Sequence, residues 1–160
     1  LRGVKRDAEP VNSSKGPWVV EPDEKAVGRF GIIRTNWHEK TSSGFQAIYV
    51  YLPGKRDKDE YHGFFKTEHS VMEGEYDFKI NGMILENVPV KAGHATRILL
   101  GALHWTAKFA NQLNILDSKD RHVTGIQGGT IIALPIGTYH VKVGTRTVNV
   151  EIKENEITDF

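Results

Sequence analysis

GEYDFKINGMILENVPVK, residues 74–91, and GTYHVKVGTRTVNVEIK, residues 137–153, decide how this chain is read. With one gap at Asn81 they align over 17 positions, seven of them identical: Gly74/Gly137, Tyr76/Tyr139, Lys79/Lys142, Gly82/Gly144, Asn87/Asn149, Val88/Val150 and Lys91/Lys153. A Thr follows five residues after each closing Lys, at Thr96 and Thr158. Within the second copy Tyr139, Val141 and Val143 alternate with Thr138, His140 and Lys142, the period of a strand with one buried face. Asn81-Gly82 between two such runs is a strong two-residue hairpin signal, because both central residues of a type I′ turn need positive φ. Gly144-Thr145 marks a similar turn.

Upstream of each hairpin, the run from Arg29 to Trp37 stands opposite the run from Arg97 to Trp105, and Lys40 and Lys108 each follow three residues after the Trp. An internal repeat of this length points to two tandem units, 27–94 and 95–160, preceded by an arm, 1–26. Residues rich in Val, Ile, Thr, Tyr and Phe, broken by Gly, Asn, Asp or Pro, make the chain all-β. Strands are expected near Trp18–Glu21, Gly28–Thr35, Phe45–Leu52, Glu75–Ile80, Met83–Lys91, Thr96–His104, Asn111–Leu116, Thr130–Leu134, Thr138–Val143, Thr147–Lys153 and Glu156–Phe160. Thr96–His104 would close one unit and open the next as a near-continuous strand. Trp105–Asn114 is the best helical stretch, but it is short and lacks a capping residue just before it.

The 160 residues fit one ordinary domain or two small ones. With 21 Lys and Arg against 20 Asp and Glu, the formal charge is +1, and no electrostatic footprint of a nucleic-acid binder is present. The absence of Cys excludes a disulfide framework, a thiolate zinc site and a cysteine nucleophile. No apolar run approaches the length of a transmembrane helix. Leu rather than Met at position 1 leads to the expectation of a processed or trimmed chain.

Beyond the repeat, the run Leu134-Pro-Ile-Gly-Thr-Tyr-His-Val-Lys-Val143, continued by Val148 to Phe160, resembles the C-terminal half of carboxypeptidase-regulatory-like, PEGA-like and Cna B-type modules. Their signature is a Pro-x-Gly-x-Tyr strand, a Gly turn, alternating Val and a polar turn before Thr. In the first unit Met72 and Glu73 stand where Leu-Pro would be. The resemblance implies two tandem small β-sandwiches, prealbumin- or Ig-like, of about seven strands each. It also implies a secreted, periplasmic or cell-surface location and a role as spacer, adhesion module or scaffold. From the Cna B-type likeness follows a candidate Lys–Asn isopeptide bond, with Lys40 and Asn87 in one unit and Lys108 and Asn149 in the other.

Catalytic motifs fail one by one. Trp37-His38-Glu39 begins like a zinc-protease helix, but the second His would fall on Ser42. The other His residues form no pair at helical spacing, and Gly125–Thr130 lacks the Lys and helix of a phosphate loop. Asp57–Glu60 and Asp117–Asp120 carry paired carboxylates suited to calcium, but interleaved Arg and Lys neutralise them. No metal or cofactor is assigned. Trp37 and Trp105 are expected as core anchors, and Tyr49, Tyr51 and Tyr61 as a candidate aromatic surface. Leu1, Val4, Val11 and Trp18 are the apolar residues by which the arm would dock on a protein partner or another copy. The resulting expectation is a non-enzymatic structural or interaction protein of the cell envelope or exterior. A glycan-binding or adhesion accessory module and a small enzyme domain are the alternatives.

Overall fold

The computed structural model describes residues 16–35, 40–42, 44–65, 68–107 and 112–160. Among them are fifteen strands and no helix: β1 (Trp18–Pro22), β2 (Phe30–Thr35), β3 (Ala47–Tyr51), β4 (Tyr61–Phe64), β5 (His69–Met72), β6 (Gly74–Ile80), β7 (Met83–Val90), β8 (His94–Ile98), β9 (Leu100–His104), β10 (Leu113–Leu116), β11 (His122–Ile126), β12 (Ile131–Pro135), β13 (Gly137–Val143), β14 (Arg146–Ile152) and β15 (Ile157–Asp159). They form sheet I (β1-β8-β2-β5), sheet II (β4-β3-β6-β7), sheet III (β11-β10-β13-β14) and sheet IV (β12-β9-β15).

The repeat is written into the pairing. Tyr76 faces Val88 across β6 and β7, and Tyr139 faces Val150 across β13 and β14. Each tyrosine turns its ring into a core and donates its hydroxyl to the carbonyl four residues back: Tyr76 to Met72 at 2.7 Å, Tyr139 to Pro135 at 2.6 Å. The ring thus gains apolar burial while its one polar atom stays paired. Parallel pairs β2/β8 and β9/β15 correspond as well. The gap in the alignment moves, however. Both turns hold two residues, so the extra residue of the first hairpin lies not at Asn81 but in the return strand, where the register slips between Tyr76 and Phe78 and Asn87 takes φ 54°. That is a β-bulge, and the Asp77 carboxylate accepts the Asn87 N–H at 3.0 Å.

Two tandem, separate sandwiches are not what these strands build. The four small sheets close a four-membered, propeller-like ring. Sheets I and II share one apolar cluster, with Trp18, Ile33 and Ile98 against Ile48, Phe78 and Val88. Sheets III and IV share another, with Tyr139, Val141 and Ile115 against Leu103, Ile132 and Leu134. Sheet II meets sheet III where Gly82 lies against the Val123 carbonyl. Sheet IV meets sheet I at Leu99, which receives Ile136 N–H at 2.9 Å and donates its own N–H to Pro17 at 2.9 Å. Bonds across the two halves close the ring: Asn81 Nδ2 donates to Phe45 and, across the halves, to Ala133 at 2.7 Å; Ser42 exchanges bonds with Ile131; Arg97 reaches Glu154 at 3.1 Å. Met83 packs on both clusters and Ala133 belongs to the first, so the cores adjoin rather than stand apart.

Three local differences from the sequence expectation follow. Trp18–Pro22, assigned to the arm, is a full strand of sheet I, paired with β8. Thr96–His104 is interrupted at Leu99, and its two parts serve different sheets. Strands β4, β5 and β11 went unpredicted because Tyr61–Phe64, His69–Met72 and His122–Ile126 are short and carry His, with Gly or Ser, in place of an alternating apolar face.

Candidate functional site

Sheet II turns one face inward with Ile48, Val50, Phe78 and Ile80. The alternate residues point out, and the register puts His62, Tyr49, Lys79 and Ile84 in one row across β4, β3, β6 and β7. Tyr49 and His62 stack at 5.6 Å with 29° between their planes, and His62 Nδ1 is held 2.8 Å from Asp59. That hydrogen bond is the main reason the Asp59 carboxyl lies below its ordinary range. In the next row Phe64 faces Ala47 on the edge strand β4, with 69% of its surface exposed. Phe64, Tyr49 and His62 therefore form an outward aromatic stripe with a Lys beside it.

The loop 52–60 closes one end of this face. Its fixed point is Asp77, 1% exposed, whose carboxylate accepts Gly54 N–H at 2.9 Å, Asn87 N–H at 3.0 Å and Arg56 Nη1 at 2.5 Å. Two main-chain donors on a buried carboxylate pin loop and bulge to one another. Beyond Arg56 a cleft of about 160 Å³ separates sheets II and III, lined by Gly82, Ile84 and Glu86 on one side and Asp117, Arg121 and Val123 on the other. Asp117 mirrors Asp77 there. Burial raises its carboxyl pKa, but the Arg121 and Lys119 main-chain donors and the Arg121 guanidinium, 2.7 Å away, outweigh it and hold the group below its ordinary range.

The aromatic surface expected from sequence is brought together only in part. Tyr49 is exposed, Tyr51 is buried at 9% beneath the 52–60 loop, and Tyr61 lies on the opposite face against the first core, its hydroxyl 2.8 Å from His69 Nε2. His62 and Phe64 were missed, since nothing in Tyr-His-Gly-Phe announces a strand. Trp18, expected to dock on a partner, is 7% exposed in its own chain's core. Leu1, Val4, Val11, Trp37 and Lys108 lie outside the described residues. Trp105 is buried at 9% in the second cluster. Lys40, Asn87 and Asn149 are all exposed. Among the described residues no three His, Asp or Glu gather as metal ligands. Nor does any described helix have the length and apolarity to cross a membrane.

Such an arrangement defines an all-β scaffold of four linked sheets with one aromatic face and one charged cleft. No family model matches the chain, and no curated protein matches it. Among solved structures it is similar to the Bacillus anthracis TIE protein, with 18% identity over 81% of this chain and 33% of that one, at a TM-score of 0.35. The chain thus spans about a third of that protein, and at this score the likeness bears on neither fold nor function.

Proposed function

We propose that this chain is a non-enzymatic interaction module of the cell envelope or exterior, which works by contact between β surfaces within an assembly of its own copies. The observation that carries this reading is the aromatic stripe of sheet II: Phe64 and Tyr49 stand outward on and beside an edge strand, where they offer an apolar contact to a partner. The bonds across the halves at Asn81, Ser42 and Arg97 support it, because a ring tied at several points presents its faces at fixed angles. The envelope location rests on the resemblance to carboxypeptidase-regulatory-like and Cna B-type modules.

Sedimentation velocity of the whole chain tests the reading. Concentration-dependent association is expected, reversed by Phe64→Glu with the melting temperature unchanged. Wild-type protein that stays monomeric, or association indifferent to Phe64→Glu, overturns it. The stacked Tyr49–His62 pair favours glycan binding as a second reading, since such a ring face suits a sugar ring. On a glycan array that reading requires binding that Tyr49→Ala removes.

A further inference from the structure

At the far end of the second half, sheets III and IV part around a cavity of about 310 Å³ lined by Trp105, Val143, Arg146, Val148 and Phe160. Its walls are held by main-chain bonds. Trp105 N–H donates to Thr130 at 3.0 Å and its carbonyl accepts Gly129 N–H at 2.7 Å; Phe160 N–H donates to His104 at 2.9 Å, and its carbonyl accepts both Thr106 N–H, at 3.0 Å, and Thr106 Oγ1, at 2.7 Å. The two rings lie 5.4 Å apart with 32° between their planes. Opposite them the β13–β14 hairpin closes with Val143 paired to Arg146.

Four of the five lining residues are apolar, and the fifth is a cation. Arg146 is exposed and forms no ion pair with any described carboxylate, and Asp159, next to Phe160 in the chain, lies 3.0 Å from His104. An apolar, aromatic floor beside one exposed guanidinium is the composition of a small-ligand site: bulk is bound by apolar contact, and orientation is fixed by one charged group.

We propose that this cavity binds a monocarboxylate with an aromatic or branched aliphatic body, which packs on Trp105, Val148 and Phe160 while the carboxylate meets Arg146. The cavity is at the small end of ligand sites, which limits the body to about the size of one aromatic side chain. A free acid and a peptide ending in a large apolar residue both offer this chemistry.

The test is a ¹H–¹⁵N NMR titration of the whole chain with 3-phenylpropionate and, separately, its neutral amide. The acid is expected to bind about tenfold or more tightly than the amide, as loss of a charged hydrogen bond predicts, and to shift the signals of Val143, Val148 and the Trp105 indole. Arg146→Gln should bring the acid down to the affinity of the amide and leave the amide unchanged, while Val148→Trp, which fills the cavity, should abolish both. Peptides ending in Phe, with free or amidated C termini, separate the two sources: tighter binding of the free-ended peptide than of 3-phenylpropionate identifies a protein terminus, and weaker binding identifies a small acid. Equal affinity for acid and amide, indifference to Arg146→Gln, shifts mapping to another surface, or no binding of either probe overturns the proposal.

Discussion

The two hairpins descend from one pattern and end in different electrostatic states. At the position after the shared tyrosine the first carries Asp77 and the second His140. In both, that residue meets the loop after the neighbouring strand of its sheet, β3 or β10, but the acid and its partner change places: Asp77 holds Arg56 of the 52–60 loop, and His140 lies 2.6 Å from Asp120 of the 117–121 loop. The burial differs too. Asp77 is almost wholly enclosed and also serves two main-chain donors, whereas the Asp120 side chain is 69% exposed. The turns diverge likewise, with positive φ at both Asn81 and Gly82 in the first and only at Gly144 in the second. The first hairpin's extra features, bulge and type I′ turn, are the ones that touch the other half or the charged cleft. A repeated frame has thus been kept where tyrosine fixes the fold and altered where the copies face each other.

Substituting the turn glycines sets this contrast at its widest. A Cβ on Gly82 would lie 2.1 Å from the Val123 carbonyl at a φ of +90°, while one on Gly144, at +59°, meets nothing. Gly82→Ala is expected to cost about 3–5 kcal/mol, because left-handed strain and displacement of the facing half add. Gly144→Ala should cost only the strain, about 1–2 kcal/mol. Denaturant titrations of both variants check this; equal losses would mean that the contact between sheets II and III contributes nothing. Next comes Asp77→Ala. It leaves the Gly54 and Asn87 N–H groups without their acceptor, for a loss of about 2–4 kcal/mol and faster amide exchange at both.

Much of this frame was legible in the sequence, and the reason is local. Gly-x-Tyr, the turn pairs and the alternating valines carry their own geometry, so strand identity, hairpins and the repeat could all be read. Assignment of strands to sheets could not, because it rests on residues distant in the chain: Asn81 reaching Ala133, Ser42 reaching Ile131, Leu99 breaking one apolar run so that β8 and β9 serve different sheets. At the candidate site the exposed Tyr49 was found by its aromatic class. Phe64 and His62 were hidden, since four residues of mixed polarity give no period. Asp77 was hidden for a different reason: a buried carboxylate with three donors looks, in sequence, like any strand acid.

The tyrosines separate the halves by a smaller margin. Tyr139 is 2% exposed and its burial pushes the phenol far above its ordinary value; Tyr76 is 8% exposed. Tyr139→Phe orphans the Pro135 carbonyl in a drier place, so a loss of about 1–2 kcal/mol is expected against about 1 kcal/mol for Tyr76→Phe, read as urea midpoints with unchanged slopes. Acid gives a second reading of the same cleft. Asp117 is held below its ordinary 3.8, so its contribution is complete above that pH and is lost as pH falls through the lower folded value. Asp117→Asn should therefore flatten the acid limb of the stability curve and leave its neutral plateau lower.

The smallest effect is expected where the pair looks most like its counterpart. His140 and Asp120 approach to 2.6 Å, as close a contact as Arg56 and Asp77 make, and a comparison by distance alone would rank the two as equals. Exposure decides otherwise. With Asp120 largely in water, the carboxylate is rehydrated as soon as its partner is removed, and no described main-chain donor depends on its side chain. His140→Ala should then change stability by no more than about 0.5 kcal/mol, the range of exposed side-chain pairs. A double-mutant cycle of His140→Ala with Asp120→Ala measures the coupling directly. If it approaches the loss from Asp77→Ala, the difference between the hairpins lies elsewhere than in burial.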